Sequence, residues 1–537
     1  MYAVSRNKVI ELTFVSGVSY QDPFNDVDFA TVFTRADGVQ YIVPGFWAGD
    51  NIWKVRFSSH TPGHFNFSTT CNHLSDTGLH GQTGEIDIIE YTGDNALYKH
   101  GPIVVSDNNR HFTHQDGTPF FWLADTWWMG FTRRLSWPMG FQTLTNDRVE
   151  KGFSVIQIIA GLYPDMPAFD ERGVNEAGFP WETDYSSINP AYFDYADRRI
   201  EYLIEMGLAP CIVGCWGYYL SFTGTEKMKQ HWKYLIARWA AYPVFWCLAG
   251  EGKMAYYMSD SREISSELQC KGWTEVGRFV RETDPFHRLI TIHPTDNSRN
   301  QVEDPSILDF DMLQTGHGDR GSLPNTVESI TGEYNREPVM PVFNSEVCYE
   351  GIGESCRQEV QRLMFWTCIL SGACGHTYGA NGIWQVNTRE KPYGPSPHGM
   401  AWGNTPWEDA YQLPGSLHLG LAKKFLCKYE WWNMTPHPEW IEPCWSADDY
   451  TRAYAAGIPG KLRIIYFPLN WWGSGIVKNI EAGVIYYAKL FNPATGEETE
   501  IGEVVPDASG NWQIPLGNGN WKMLPIYQDW VVILEAL

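Results

Sequence analysis

Two glutamates, Glu251 and Glu346, each close an unbroken apolar run, PVFWCLAGE (243–251) and PVMPVFNSE (338–346). Glu251, at the end of so apolar a segment, is expected to be partly desolvated, which raises its pKa and suits it to donate a proton near neutral pH. Two such acids flanking one scissile bond are what glycosidic cleavage needs. Sugars offer apolar ring faces to indoles and hydroxyls to Asp, Asn, Gln and His. The segments DTWWMGF (125–131), GCWGYY (214–219) and ANGIWQ (380–385) supply such groups, with Trp127, Trp128, Trp216 and Trp384 as stacking candidates. The competing reading of each tryptophan is a place in the core.

For the two acids to meet, the runs that carry them must converge. Eight apolar runs occur between 119 and 379: 119–125, 153–161, 209–217, 243–251, 288–295, 310–318, 338–346 and 374–379. Amphipathic stretches such as AYFDYADRRIEYLIEMG (191–207) and TEKMKQHWKYLIARWAAY (225–242) separate several of them, so the pattern is one of βαβ units on a buried parallel sheet. Eight repeats predict an α/β fold, a (β/α)8 TIM barrel, with short helices after strands five and six. Barrel enzymes gather reactive groups at the C-terminal ends of their strands. Those ends hold Asp125, Tyr163, Trp216, Glu251, His293, Gln314 with His317, Glu346, and Tyr378 with Trp384. Strands four and seven face each other across such a mouth.

Short alternating strands broken by RADG and AGDN turns fill the first 108 residues, and the same grammar returns after 440. The expected domains are an N-terminal β-sandwich (1–108), the catalytic barrel (109–440) and a C-terminal antiparallel β-sandwich (441–537).

The 537 residues carry 40 Lys and Arg against 63 Asp and Glu, a net charge of −23. That field repels phosphate backbones and anionic surfaces, so neither nucleic acid nor a membrane is an expected partner. Eleven cysteines, several inside apolar runs, point to a reducing, cytoplasmic setting, although a secretory signal could have been trimmed. The C-x3-C pair Cys211 and Cys215 is read as core packing, and His293, His317 and His376 as sugar-site or core residues rather than metal ligands. No cofactor or metal is expected. The GHGDRG run (316–321) lacks the helix a dinucleotide fingerprint requires, and H-E-x-x-H, P-loop and G-x-S-x-G motifs do not occur. Assembly into a homo-oligomer stays open.

The stretch TPFFWLADTWW (118–128) resembles the opening of the barrel in the apiosidase-like glycoside hydrolases, relatives of the retaining (β/α)8 glycosidase clan. The resemblance extends over the chain: VFTRADGVQYIVPGFW (32–47) looks like the sandwich that often precedes such barrels, and the C-terminal region is similar to their collagen-binding-like β domain. It implies an acid/base at Glu251, a nucleophile at Glu346 and a sugar-binding role for Asp125. The clan often has Asn before its strand-four acid, where this chain has Gly250, so the bond to the sugar 2-hydroxyl must come from elsewhere. The branch can also use Asp at the acid position. The implied reaction is double displacement on an oligosaccharide or glycoside, exo-acting because the long loops after strands two and eight would wall off a pocket. A metal-dependent barrel hydrolase and a catalytically inactive carbohydrate-binding protein are the alternatives.

Overall fold

The computed structural model describes residues 2–469, 475–515 and 527–537. At its centre eight parallel strands form one sheet: β1 (Trp122–Trp127), β2 (Val155–Ile159), β3 (Ala209–Val213), β4 (Phe245–Cys247), β5 (Ile290–Thr291), β6 (Asp311–Gly316), β7 (Val342–Val347) and β8 (Gly375–Tyr378). Each of the eight apolar runs holds one strand, and β8 pairs with both β7 and β1. The fold is a (β/α)8 TIM barrel. Its helical layer comprises α1 (Met139–Glu150), α2 (Pro190–Glu205), α3 (Tyr219–Trp239), α4 (Arg262–Thr283), α5 (Leu323–Tyr334), α6 (Gln358–Leu370) and α7 (Pro414–Leu426). Two 3-10 turns replace a helix after β5.

Between β5 and β6 side chains take the place of a ladder. The Asp309 carboxylate accepts the Ile290 N–H at 2.7 Å, and the Ser298 hydroxyl donates to Ile292 O at 2.6 Å while accepting the Met312 N–H at 2.9 Å. These bonds satisfy backbone groups that burial would otherwise leave at a cost.

A β-meander closes the barrel floor. Ile103–Val105 pairs with Phe112–His114, which pairs with Pro119–Phe120, and Phe112 packs edge-on against Phe245, Phe310 and Phe343. The expected sandwich boundary at 108 falls inside this meander. The N-terminal sandwich itself has a five-stranded and a three-stranded sheet around Phe33, Trp53, Phe57 and Phe65. Arg56, on one of its strands, reaches Asp197 of α2 at 2.6 Å, and Arg238 of α3 meets the same carboxylate at 2.6 Å. Paired charges of opposite sign make that buried junction tolerable. The C-terminal domain, a six- and a three-stranded antiparallel sheet, is tied to α6 by the buried Arg362–Asp529 pair at 2.7 Å. The segment GNGN (517–520), whose sequence predicts a turn, lies outside the described residues.

Candidate active site

Glu251 and Glu346 line one cavity of about 250 Å³ at the C-terminal ends of the strands. Glu251 follows β4 in a left-handed conformation, φ 45°, which a glutamate adopts only when its surroundings impose it. Those surroundings are backbone bonds on both sides: Gly250 N–H donates to Cys215 O at 2.9 Å, and Gly252 N–H to His293 O at 3.1 Å. The indole of Trp216 lies flat against Gly250, so a Cβ there would stand 2.1 Å from the ring. An asparagine cannot occupy this position while Trp216 keeps its place, which explains the departure from the clan pattern.

Glu346 reaches the cavity through an irregularity. Phe343 packs into the barrel interior against Trp122, whereas Asn344 donates outward to Thr315, itself bonded to Thr326 of α5. Strict alternation would send residue 346 outward with Asn344. The β6–β7 register slips between Leu313↔Asn344 and Gln314↔Glu346, and the extra residue, Ser345, turns Glu346 inward, as bulges commonly re-aim side chains.

The two carboxyls have opposite electrostatic surroundings. Burial, then the neighbouring Glu346 charge, push Glu251 up to about 8, against a hydrogen bond from Gln314 Nε2 at 2.9 Å. Burial also acts to raise Glu346, but a hydrogen bond from His317 and the nearness of His293 bring it below the usual carboxylate value. His317 Nδ1 accepts the Tyr349 N–H at 3.3 Å, so its proton sits on Nε2 and points at Glu346 Oε1, 3.0 Å away. That tautomer donates to an ionised Glu346. His293, fully buried behind the site, stands 3.4 Å from Glu346 Oε2, and burial lowers its pKa.

The structure brings Trp128, Trp216, Gln314, His317 and Trp384 to the cavity, with His293 beneath. It takes four expected site residues elsewhere. Asp125 is fully buried and points into the helical layer, bound to Arg148 Nε of α1 at 2.7 Å and to Trp127 Nε1 at 2.7 Å. Trp127 packs edge-on against Phe141 of α1. The Tyr163 hydroxyl pairs with that of Tyr192 on α2, and the Tyr378 hydroxyl donates to Glu350 at 2.6 Å. Each lies on the outward face of its strand end. His376 also faces outward, edge-on to Phe365 of α6, and Cys211 and Cys215 are buried core thiols.

Sequence reasoning missed Asp165, Tyr257, Tyr349, His398 and Trp402, which also line the cavity. Tyr349 carried a signal, standing three residues after Glu346; its ring covers Gly379, where a Cβ would come within 2.1 Å of it. Asp165 and the pair His398 and Trp402 sit in the two long loops already suspected of walling the pocket. Among the described residues, no group of three or more His, Cys, Asp and Glu is disposed to hold a metal ion, and no helix is long and apolar enough to cross a membrane.

Residues 106–433 match the family described as apiosidase-like, catalytic domain, and residues 3–72 match a domain of unknown function, DUF5060. No curated protein matches the chain. Among solved structures, one described as a glycoside hydrolase is 22% identical, with a TM-score of 0.66 over 83% of this chain and 98% of its own. A glycoside hydrolase family 5 structure from Bacteroides vulgatus ATCC 8482 is 22% identical, with a TM-score of 0.66 over 82% of this chain and 93% of its own. A second structure from that organism is 17% identical and superposes over 100% of both chains with a TM-score of 0.71, a likeness of fold. Since the catalytic-domain match spans more than half of the 537 residues, the chain belongs to the apiosidase-like family of glycosidases.

Proposed function

We propose that the protein is a retaining, exo-acting glycoside hydrolase in which Glu346 is the nucleophile and Glu251 the acid/base. The observation that carries this reading is the pairing in one cavity of a carboxyl pushed up to about 8 with one held below its usual value. At neutral pH the first is protonated and the second ionised, the state double displacement starts from. Glu346 attacks the anomeric carbon while Glu251 gives its proton to the departing oxygen. Glu251, now a base, then takes a proton from the water that displaces the sugar from Glu346.

His317 holds Glu346 ionised and aimed, and Gln314 fixes the orientation of Glu251. Among the described residues, buried Trp384 Nε1 and Gln314 Oε1 meet no hydrogen-bond partner, and a sugar's hydroxyls are groups they could meet, while the Trp216 indole and the Tyr349 hydroxyl lie against Glu251 and Glu346. Gln314 can thereby take the 2-hydroxyl contact that the clan's asparagine would make. The small cavity, walled by the loops after β2 and β8, favours a terminal sugar over a chain passing through.

The test is a screen of aryl glycosides, pentofuranosides included, followed by proton NMR of the first-formed anomer. Retention of configuration supports the reading; inversion, or Glu346→Gln and Glu251→Gln variants each within a few-fold of the parent, would sink it. Mid-chain fragments appearing before monosaccharide would overturn the exo assignment.

A further inference from the structure

A third carboxylate enters the cavity from the loop after β2. Asp165 takes a left-handed conformation, φ 57°, and is clamped by Tyr257 from the loop after β4. The Tyr257 hydroxyl donates to Asp165 Oδ1 at 3.0 Å and accepts the Asp165 N–H at 3.2 Å. His398, from the loop after β8, buttresses Tyr257 edge-on at 4.8 Å. Among the described residues no side chain hydrogen-bonds Oδ2, so half of this carboxylate is left for a ligand.

Among the described residues, no lysine or arginine lines the cavity, although three acids do. The acids sense one another: the charge of Glu346 raises Asp165, and that of Asp165 raises Glu251. A further negative charge in this space would stand beside ionised Glu346 and Asp165 with no lysine or arginine in the lining, the nearby Arg172 charge already acting on Asp165, and like charges juxtaposed in a desolvated site are strongly disfavoured.

Resting on the glycosidase reading of the same site, we propose that Asp165 is a specificity-determining residue that accepts hydroxyls of an uncharged terminal sugar and excludes glycosides bearing a carboxylate, sulfate or phosphate there. A carboxylate placed to accept hydroxyl protons discriminates strongly, because a substrate lacking the donor leaves it buried and unpaired. The same arrangement favours a polyhydroxylated cyclic amine, which is protonated at neutral pH.

The experiment has a binding arm and a cleavage arm. Calorimetry compares polyhydroxylated pyrrolidines and piperidines with galacturonate and glucuronate, and aryl glycosides are compared with the matching uronides. The expected results are binding of at least one cyclic amine with no binding of the uronates, and a preference of about 100-fold in kcat/KM for a neutral glycoside. Asp165→Asn, which suits a left-handed backbone, should weaken amine binding at least tenfold, raise KM more than it lowers kcat, and shrink the neutral-over-uronide preference at least tenfold. Tyr257→Phe should move the same quantities less. Uronate binding comparable to that of the amines, a uronide cleaved within tenfold of its neutral partner, or an Asp165→Asn variant with unchanged ratios would overturn the proposal. Cleavage absent for every glycoside, with selective and Asp165-dependent amine binding retained, would sink the catalytic assignment and leave this one standing.

Discussion

The mouth of the barrel holds buried acids on both faces of its strands, and the two sets differ in what accompanies them. On the outer face Asp125 sits against Arg148, and Glu350, raised by burial to about 7, is bound by the Tyr378 hydroxyl and the Gly415 N–H at 3.0 Å with the Arg148 and Lys151 charges acting on it. The Arg148 guanidinium also lies 5.6 Å from the centre of the Tyr378 ring. On the inner face Glu251 is bound by an amide and Glu346 by an imidazole, and among the described residues no arginine or lysine lines their cavity. A fixed guanidinium makes a carboxylate a structural counter-ion; neutral donors leave it free to exchange a proton or form a bond. Position at a strand end is common to both sets, so it is the companion that separates support from chemistry.

Substitutions should therefore split between activity and stability. The largest effect is expected from Glu346→Gln, a loss of at least about 10^4-fold in kcat with the melting point little changed. Glu251→Gln follows, with about 10^2- to 10^4-fold on substrates with poor leaving groups and much less on nitrophenyl glycosides, whose departure needs no proton. Arg148→Met should instead destabilise the fold by about 3–5 kcal/mol by stranding Asp125, with kcat per folded molecule near the parent value. Denaturant titration alongside active-site counting reads both. An Arg148→Met enzyme that is fully stable but inactive would erase the distinction between the two faces.

The eight strands, most helices and both candidate catalytic acids were legible because a parallel barrel writes itself as repeated apolar runs ending in a polar residue. The direction of each end residue was not legible. Barrel strands are apolar on both faces, so no alternation tells Asp125, which turns out, from Trp128, which turns in. Glu346 is harder still, since regular alternation aims it outward and only the slip at Ser345 brings it in. Asp165 and His398 were hidden for another reason: they hang on long loops whose course depends on contacts with other loops, Tyr257 being the residue that unites them.

The finest prediction concerns protons, and its sign differs between the two inner acids. Activity needs Glu346 ionised and Glu251 protonated. The rate should fall on the acid side as pH drops through the lowered Glu346 value, and on the alkaline side as pH rises through about 8. His317→Ala removes the donor to Glu346 and should move the acid limb upward, at a cost of about tenfold in kcat. Stability moves the other way for Glu251. Its folded pKa exceeds the unfolded one, so the folded state holds the proton more tightly and loses stability as pH climbs from about 4.5 to 8. Glu251→Gln, with no charge to bury, should lose the alkaline limb of residual activity and melt slightly above the parent at pH 8, with the difference vanishing near pH 4. An unchanged melting difference across that range would show that the Glu251 carboxyl is no harder to ionise in the folded protein than in the unfolded chain, and the contrast between the acids of the cavity would go with it.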